Sequence, residues 1–280
     1  MISIRNNVNS LLAQRAFEQN NINLMRSFTR LSTGLRINSG ADDPAGLIAS
    51  ENLRATLSKL EAESRSLERA QHVVSTAEAA LGEISELSNR AEALTVASAN
   101  TGGMSQEEID ANQMELDSII GAIDRIASTT TFNGSKLLDG SFSMTAAFEQ
   151  YSFDSAHVSD LGETDVNGTT YTLNDLRSGG ALAIDGGDTA TAAKILRAAT
   201  SQIATARGRL GTISANTITP ALNSISVAIE NITAAESFIR DTNFAFETAN
   251  MVRNQILSVA SINSLGAANS QPKMVLSLLG

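Results

Sequence analysis

Cysteine and tryptophan are absent from this 280-residue chain, and aromatic residues make up only 4% of it. Without cysteine the chain forms no disulfide, no thiolate metal site and no cysteine nucleophile. The two histidines, His72 and His157, lie far apart, and no HExxH segment occurs, which excludes a zinc protease of that type. No nucleophile, base and orienting group cluster in the sequence, so we expect neither enzymatic activity nor a cofactor.

Long apolar runs are also lacking. No stretch of roughly 18 apolar residues is present to span a membrane, and Met1–Asn7 lacks the apolar core of a secretory signal. The net charge of −10 argues against nucleic acid as a partner. Formal charge is +4 for residues 1–40 and zero for residues 241–280, which leaves −14 between them. The ends and the middle of the chain therefore differ in character.

Both ends carry amphipathic helical patterns. Apolar residues recur at helical spacing over residues 4–35, and the pattern breaks at Gly34 and at Asn38-Ser39-Gly40. The last forty residues have the same character, and Gln271-Pro272 is predicted to interrupt their helix. Neither end is long enough to bury its apolar stripe alone, so we expect the ends to pair with each other and with other copies. The C-terminal stripe consists of Val252, Ile256, Val259 and Ile262.

The middle of the chain predicts longer helices packed side by side. Asp43 as an N-cap and Pro44 at the first helical position begin a helix that reaches about Asn100. A shorter antiparallel helix follows a capping box of Ser105 and Glu108. The longer helix has apolar residues every seven positions, the spacing of a coiled-coil-like seam: Leu53, Leu60, Leu67, Val74 and Leu81.

A third long helix begins near Asp188, and its apolar spacing slips by one residue close to Pro220. Since proline removes a helical hydrogen bond, we predict a bulge or kink at residues 216–220. Turn signals at Asn133-Gly134 and Asp139-Gly140 predict β-hairpin structure. The fold class predicted is mainly α, an elongated antiparallel coiled-coil-like helical bundle with a small β-hairpin insertion and paired N- and C-terminal helices.

Several long motifs resemble those of the bacterial flagellins. Near the N-terminus they are "RLSTGLRINSGADDPAGL", "LERAQHVVSTAEAALGEI" and "DRIASTTTFNGSKLL". Near the C-terminus they are "FIRDTNFAFETANMVRNQIL" and the closing "VLSLLG". The motifs cover most of residues 1–140 and 190–280 in the family's order, and several independent long motifs are more specific than one short pattern.

The resemblance implies three parts and a function. Residues 1–43 with 241–280 would form a terminal polymerisation domain, disordered in the free monomer and helical in the filament core. Residues 44–130 with 188–240 would form a helical spoke domain, and residues 131–187 a small β/loop insertion on the surface. The chain would be a structural subunit that self-polymerises into the extracellular flagellar filament for swimming motility. It would be exported unfolded, without a cleaved signal peptide.

Self-assembly is expected to use the apolar side chains of both ends. They bury one another only in the polymer, so that assembly and ordering are coupled. The N-terminal set is Val8, Leu11, Leu12, Phe17, Leu24 and Phe28. The C-terminal set is Val252, Ile256, Val259, Ile262, Val275, Leu276, Leu278 and Leu279.

The segment "GLRINSGADDP" is predicted to link the filament core to the spoke. A metal pair at Asp42 and Asp43 is disfavoured, because adjacent side chains diverge and no third ligand lies nearby in sequence. A phosphate loop is disfavoured because no GKS/T ending follows and no strand precedes it. The linker residues are Gly34, Arg36, Asn38, Asp42, Asp43 and Pro44.

The resemblance also implies partners besides other copies of the chain. These are the flagellar export apparatus, an export chaperone, the filament cap and the hook–filament junction proteins, with neither nucleic acid nor membrane insertion. The family suggests a contact with a host Toll-like receptor, which Arg90, Leu94 and Glu115 partly match. The family's glutamate before the leucine is replaced by Ala93, and an ordinary helix face packed between subunits is the alternative.

Two further points stay open at the level of sequence. O-linked glycosylation on Ser or Thr within residues 141–191 is an expectation from the family, and no rule selects the residue. The N-linked sequon at Asn167 is discounted, because export from the cytoplasm would bypass enzymes outside the membrane. The alternative functions are a hook–filament junction protein of the flagellum and, from a different class, a cytoplasmic coiled-coil signalling module.

Overall fold

The computed structural model describes the backbone of residues 6–100, 103–166, 168–186 and 188–279, with side chains as far as residue 274. The chain divides into two compact units, Met1–Leu60 with Ala228–Gly280 and Glu61–Val227. Among these residues the elements include helices α1 to α6, a π-helical segment, short 3-10 helices at Leu173–Leu176 and Ile184–Gly186, and three two-stranded antiparallel sheets. Within the described ranges no helix is both long and apolar enough to cross a membrane.

The first unit contains α1 (Val8–Thr33) and α6 (Phe244–Leu279). It also takes in the first part of α2 (Pro44–Ser98) and the last part of α5 (Thr219–Arg240). Gly34 ends α1 with a φ of 74°, a left-handed conformation that glycine adopts without steric cost. The predicted break after the first helix is confirmed.

The start of α2 follows the predicted cap. Asp43 Oδ1 accepts a hydrogen bond from the Gly46 N–H at 2.9 Å, and Pro44 is the first helical residue. A Cβ at Gly46 would lie 2.5 Å from Asp43 Oδ2 and 2.6 Å from Ile37 Cδ1. Any other residue at position 46 would therefore displace the capping carboxylate of Asp43 or the buried side chain of Ile37.

The second unit packs α3 (Gln106–Thr129) and α4 (Thr189–Thr212) with the later part of α2. The predicted capping box of Ser105 and Glu108 is present, and Asp188 caps α4 by accepting from the Thr191 N–H. The seam predicted along α2 is buried in this unit at Leu67, Val74 and Leu81. Side chains of α3 and α4 complete the core: Ile109, Leu116, Ile120, Ile123, Ile195, Leu196, Ile203 and Leu210.

The predicted irregularity near Pro220 is confirmed as a π-helical segment, Ile213–Ile218, between α4 and α5. The Thr219 N–H donates to the carbonyl of Ser214, five residues earlier. The wider turn shifts the helical phase by one residue, and Ile213 and Ile218 are both buried. The slip in the apolar spacing thus corresponds to a local change in winding.

The insertion between α3 and α4 contains three hairpins: β1 (Thr131–Phe132) with β2 (Ser135–Lys136), β3 (Ser143–Ala146) with β4 (Glu149–Ser152), and β5 (Thr164–Val166) with β6 (Thr169–Tyr171). Asn133-Gly134 forms the first turn, both with positive φ, as predicted. Asp139-Gly140 makes a turn without pairing strands across it, because β3 pairs onward with β4.

The insertion has a buried core that fastens it to the helices. Gln113 of α3 is buried, and its amide donates to the Leu176 carbonyl and accepts from the Ile184 N–H, at 2.9 and 2.8 Å. Asp117 of α3 accepts from the Ser178 N–H at 2.9 Å. The segment is therefore packed against α3 through specific hydrogen bonds.

The prediction that Gln271-Pro272 interrupts the last helix is wrong, because α6 continues through Pro272 to Leu279. Proline has no N–H for the carbonyl four residues earlier. That carbonyl belongs to Ala268, and the Asn7 side-chain amide donates to it at 2.7 Å. A donor from outside the helix thus compensates for the missing backbone bond.

Candidate self-assembly surface

Helices α1 and α6 pack against each other in antiparallel fashion over most of their length. The less exposed positions recur every three or four residues on both helices, which is the spacing of a coiled-coil seam. On α1 these are Ser10, Ala13, Phe17, Asn20, Asn23, Leu24, Ser27, Arg30 and Leu31. On α6 they are Glu247, Asn250, Met251, Asn254, Ser258, Ser261, Leu265, Ala268 and Pro272.

The seam is polar for a helix pair. Asn20 Nδ2 donates to Ser261 Oγ at 2.9 Å, and Ser10 Oγ donates to Asn269 Oδ1 at 2.7 Å. The buried positions include the small residues Ser27, Ser258 and Ala268. These small residues let the two helix backbones approach closely, so that short polar contacts can join them. Most of the large apolar side chains of the two helices lie outside the seam.

The outward faces of α1 and α6 carry the side chains predicted for self-assembly. We call these two faces together the terminal apolar surface. Its predicted members are exposed by between 45 and 63%: Val8, Leu11, Leu12, Phe28, Val252, Ile256, Val259 and Ile262. Single exposed apolar residues are normal, but eight of them on the outward faces of two paired helices point to an interaction site.

Two predicted members occupy a different environment. Phe17 and Leu24 are half-buried in the seam between α1 and α6 and do not lie fully on the outward face. Four more predicted members lie beyond residue 274, the last residue whose side chain the structure describes, although their backbone belongs to α6: Val275, Leu276, Leu278 and Leu279.

Sequence reasoning missed several members of the terminal apolar surface. Ile22, Met25 and Leu257 are exposed apolar residues on the same two helices. Phe244 and Phe246 at the start of α6 are also exposed, as is Phe238 near the end of α5. The signal was available, because Ile22 and Met25 continue the helical spacing of the predicted N-terminal set.

The linker predicted between the helices is held by backbone contacts. The Arg36 N–H donates to the Arg240 carbonyl at 2.6 Å, and the Arg36 guanidinium donates to the Ile239 carbonyl at 2.5 Å. The Thr242 N–H donates to the Gly34 carbonyl at 2.8 Å. The chain segments that leave α1 and enter α6 are thereby tied side by side.

Asp42 organises the turn that follows. Its Oδ2 accepts from the N–H groups of Asn38 and Ser39 at 3.3 and 3.0 Å and from the Ser39 hydroxyl at 2.9 Å. Partial burial opposes ionisation, but the Ser39 hydroxyl and these backbone donors outweigh it and hold the pKa of Asp42 below its ordinary value. All six predicted linker residues therefore lie in one segment, where Asp42 acts as a turn acceptor and Asp43 as a helix cap.

The residues suggested for a receptor contact lie together in the second unit. Arg90 of α2 donates to Glu115 of α3, with 2.5 Å between Nη2 and Oε1. Leu94 is half-buried one turn further along α2. Glu92 accepts from Arg197 Nε at 2.7 Å, so its carboxylate is already engaged by α4.

The described residues contain no group of three or more His, Asp or Glu side chains arranged to hold a metal ion. A mainly α-helical chain with paired terminal helices, a polar seam and apolar outward faces belongs to the class of helical structural proteins.

Comparison with known proteins identifies the family. The family model for the bacterial flagellin N-terminal helical region matches residues 4–143, and the model for the C-terminal helical region matches residues 193–279. The chain therefore belongs to the bacterial flagellins. A flagellin is a structural subunit of the flagellar filament and not an enzyme.

Individual relatives align over the full chain. A flagellin of Bacillus subtilis (strain 168) is 32% identical over 303 residues, covering 99% of each chain. A flagellin of Halalkalibacterium halodurans is 35% identical, covering 96% of this chain and 98% of the relative. The flagellar filament 30.7 kDa core protein of Treponema maltophilum is 32% identical, covering 99% of each. Among solved structures, a Bacillus cereus flagellin has a TM-score of 0.41 at 22% identity, covering 60% of this chain and 88% of that one.

Proposed function

We propose that this flagellin polymerises by burying its terminal apolar surface against further copies of the chain. The observation that carries the proposal is the exposure of the apolar side chains of Leu12 and Ile256, which are 58% and 63% exposed. Each large apolar side chain removed from water contributes about 1.5–3 kcal/mol. Repeated along two helices, such burial favours a polymer over free subunits.

The terminal apolar surface does not share the acidic character of the whole chain. Helices α1 and α6 contain one acidic residue each, Glu18 and Glu247. Glu247 is buried beside Arg30, with 3.6 Å between Oε2 and Nη1. The outward faces therefore carry little negative charge to repel other copies, although the chain as a whole is acidic.

In this proposal residues 1–43 with 241–280 form the polymerisation domain, residues 44–130 with 188–240 the spoke, and residues 131–187 the outer insertion. We propose that the terminal domain orders on assembly, after export of the unfolded chain through the flagellar secretion channel without a cleaved signal peptide. The expected partners are the export apparatus, an export chaperone, the filament cap and the junction proteins. O-linked sugars on Ser or Thr of residues 141–191 belong to the same proposal.

The experiment compares polymerisation of purified chains that carry Leu12→Ser, Ile256→Ser or the control Met114→Ser. Met114 is an exposed apolar residue of α3 outside the terminal surface. We expect the critical concentration to rise about tenfold or more for each of the first two variants and to stay within about twofold for the control. Normal polymerisation of both Leu12→Ser and Ile256→Ser would refute the proposal.

A second proposal concerns recognition by a host Toll-like receptor at Arg90, Leu94 and Glu115. The observation that favours it is the direct contact of Arg90 with Glu115, which puts two of the three residues on one surface. Ala93 lacks the carboxylate of the family pattern, and Glu92 is paired with Arg197. Absence of a signal from purified monomer in receptor reporter cells would refute this proposal and leave an ordinary helix face.

A further inference from the structure

The side chain of Asn7, at the start of α1, makes a polar contact with the last part of α6. Asn7 Nδ2 donates to the Ala268 carbonyl at 2.7 Å, across 261 residues of sequence. The Oδ1 of the same side chain accepts from the Ser10 N–H at 3.1 Å and so caps α1. A single amide therefore serves two helices at once.

The carbonyl that Asn7 contacts occupies a special position in α6. In an α-helix, each carbonyl accepts from the N–H four residues further on. For Ala268 that residue is Pro272, which has no N–H to donate. Because Pro272 is the sole proline of α6, Ala268 is the one residue of this helix whose carbonyl loses its helical donor to a proline.

We propose that Asn7 is a positioning residue that fixes the register of α1 on α6 by supplying the donor that Pro272 lacks. The inference rests on the proposed function, because the register of the terminal pair matters where copies pack together. Near this end of the pair the seam residues Ser10, Ala13 and Ala268 are small, so packing there specifies the register weakly. The Arg30–Glu247 pair lies at the opposite end of the seam. A single polar position can select one register among several that packing alone would allow.

Neighbouring contacts agree with this register. Ser10 Oγ donates to Asn269 Oδ1 at 2.7 Å, and Asn9 Nδ2 donates to Gln271 Oε1 at 3.3 Å. Both are contacts between exposed side chains, which new partners can replace after a slip. The Ala268 carbonyl has a fixed place on the helix, so the Asn7 contact forms in one register only.

The double role of Asn7 couples the two ends of the chain. When its amide binds Ala268, the oxygen is held where it caps the first turn of α1. The order of α6 beyond Pro272 and the start of α1 are therefore expected to form together. Loss of the donor alone should weaken both, even where the cap acceptor is kept.

The test is a double-mutant cycle of Asn7→Asp and Pro272→Ala, measured on polymers of the full chain. Aspartate keeps an acceptor for the Ser10 N–H but has no donor for Ala268. We expect Asn7→Asp to raise the critical concentration about five- to tenfold when Pro272 is present. With Pro272→Ala the expected rise is less than about twofold, because alanine supplies the backbone N–H. The matched control Asn9→Asp adds the same charge two residues away and should have little effect.

Equal effects of Asn7→Asp in both backgrounds would overturn the proposal, as would normal assembly of Asn7→Asp. If Pro272→Ala fails to assemble, hydrogen exchange on polymers of Asn7→Asp and Asn9→Asp decides instead. Faster exchange of residues 273–279 in Asn7→Asp alone supports the proposal, and equal exchange rejects it. Normal polymerisation of Leu12→Ser and Ile256→Ser would refute the terminal surface while leaving this coupling measurable.

Discussion

Arg30 of α1 and Glu247 of α6 form an ion pair inside the seam, with 3.6 Å between Nη1 and Oε2 and side-chain exposures of 25% and 8%. Removing one partner of a buried pair leaves the other charge without compensation. We predict that Arg30→Met lowers filament stability by about 1–3 kcal/mol per subunit, more than Glu247→Gln does. Thermal dissociation followed by light scattering measures this.

The matched control is Arg65→Met, which removes an exposed partner of Glu61 on α2. Exposed ion pairs contribute about 0–1 kcal/mol, so the control should shift dissociation little. Equal shifts for Arg30→Met and Arg65→Met would mean that the pair in the seam contributes no more than a surface pair.

Acid is predicted to weaken the linker through Asp42. The pKa of Asp42 lies below its ordinary value of 3.8, so the fold favours the ionised form over the protonated one. The stability that this provides is present above about pH 4 and is lost as the pH falls through the lower, folded-state pKa. Filament dissociation measured between pH 6 and pH 2 should show this acid-sensitive step.

Asp42→Asn should be less stable than the parent at neutral pH and should lack that step, so the two stabilities converge in acid. Ser39→Ala removes one donor to the Asp42 carboxylate. Its stability at neutral pH should therefore lie between the stabilities of the parent and of Asp42→Asn. A constant difference between the parent and Asp42→Asn across the whole range would contradict the assignment to this carboxyl.

A second pH effect is predicted at the alkaline end. Tyr151 of β4 donates to Glu149, which raises the pKa of Tyr151 above its ordinary value of 10.0. Its hydroxyl also lies 3.1 Å from Thr217 Oγ1 in the π-helical segment. Because the fold favours the neutral phenol, the associated stability is present below about pH 10 and declines as the pH rises further towards the folded-state pKa.

Tyr151→Phe should cost about 0.5–1.5 kcal/mol at neutral pH and should remove the alkaline decline. Thermal unfolding of the full chain between pH 7 and pH 11 measures both effects. Thr217→Val removes the contact with Thr217 and keeps the phenol, so it should retain the alkaline decline. Loss of the alkaline decline in Thr217→Val would contradict this prediction. It would show that the contact with Thr217, and not the one with Glu149, causes the decline.

Removal of residues 274–280 is predicted to reduce polymerisation. These residues carry Val275, Leu276, Leu278 and Leu279, and each apolar side chain buried in the polymer contributes about 1.5–3 kcal/mol. The critical concentration should therefore rise at least about tenfold. Thermal unfolding of the unit formed by residues 61–227 should not change. Filament growth at the parental concentration would contradict this prediction.

The helix boundaries were predictable because short-range chemistry sets them. Asp43 with Pro44, Ser105 with Glu108, and Asp188 each place a cap within three residues of the N–H it satisfies. The coiled-coil spacing of α2 was equally readable, because burial follows it directly. Local rules suffice where both partners are close in sequence.

Contacts between residues far apart in the chain could not be predicted from the sequence. Where α6 continues through Pro272, the donor to the Ala268 carbonyl is Asn7, and nothing near Pro272 in sequence indicates that donor. The partial burial of Phe17 and Leu24 likewise depends on which face of α1 meets α6. Apolar spacing locates a stripe, but the division between seam and outward surface is decided by the partner helix.

The buried core of the insertion was missed for a related reason. Its short apolar segments look like loop residues in isolation, and Gln113, which fastens them, lies in α3. A buried glutamine on a helix gives no sign of which distant backbone groups it satisfies. Such polar anchors become visible only when the chain is folded.

The π-helical segment Ile213–Ile218 makes the polypeptide one residue longer than an α-helix between the same end points requires. It behaves as a stored insertion. Deletion of one residue within it, such as Ala215, converts the wide turn to an ordinary one and keeps Ile225 on its buried side. The same deletion within α4, at Ser201 for instance, would rotate every following residue of that helix by about 100°. We therefore expect this short stretch to tolerate a change of length better than α4 does.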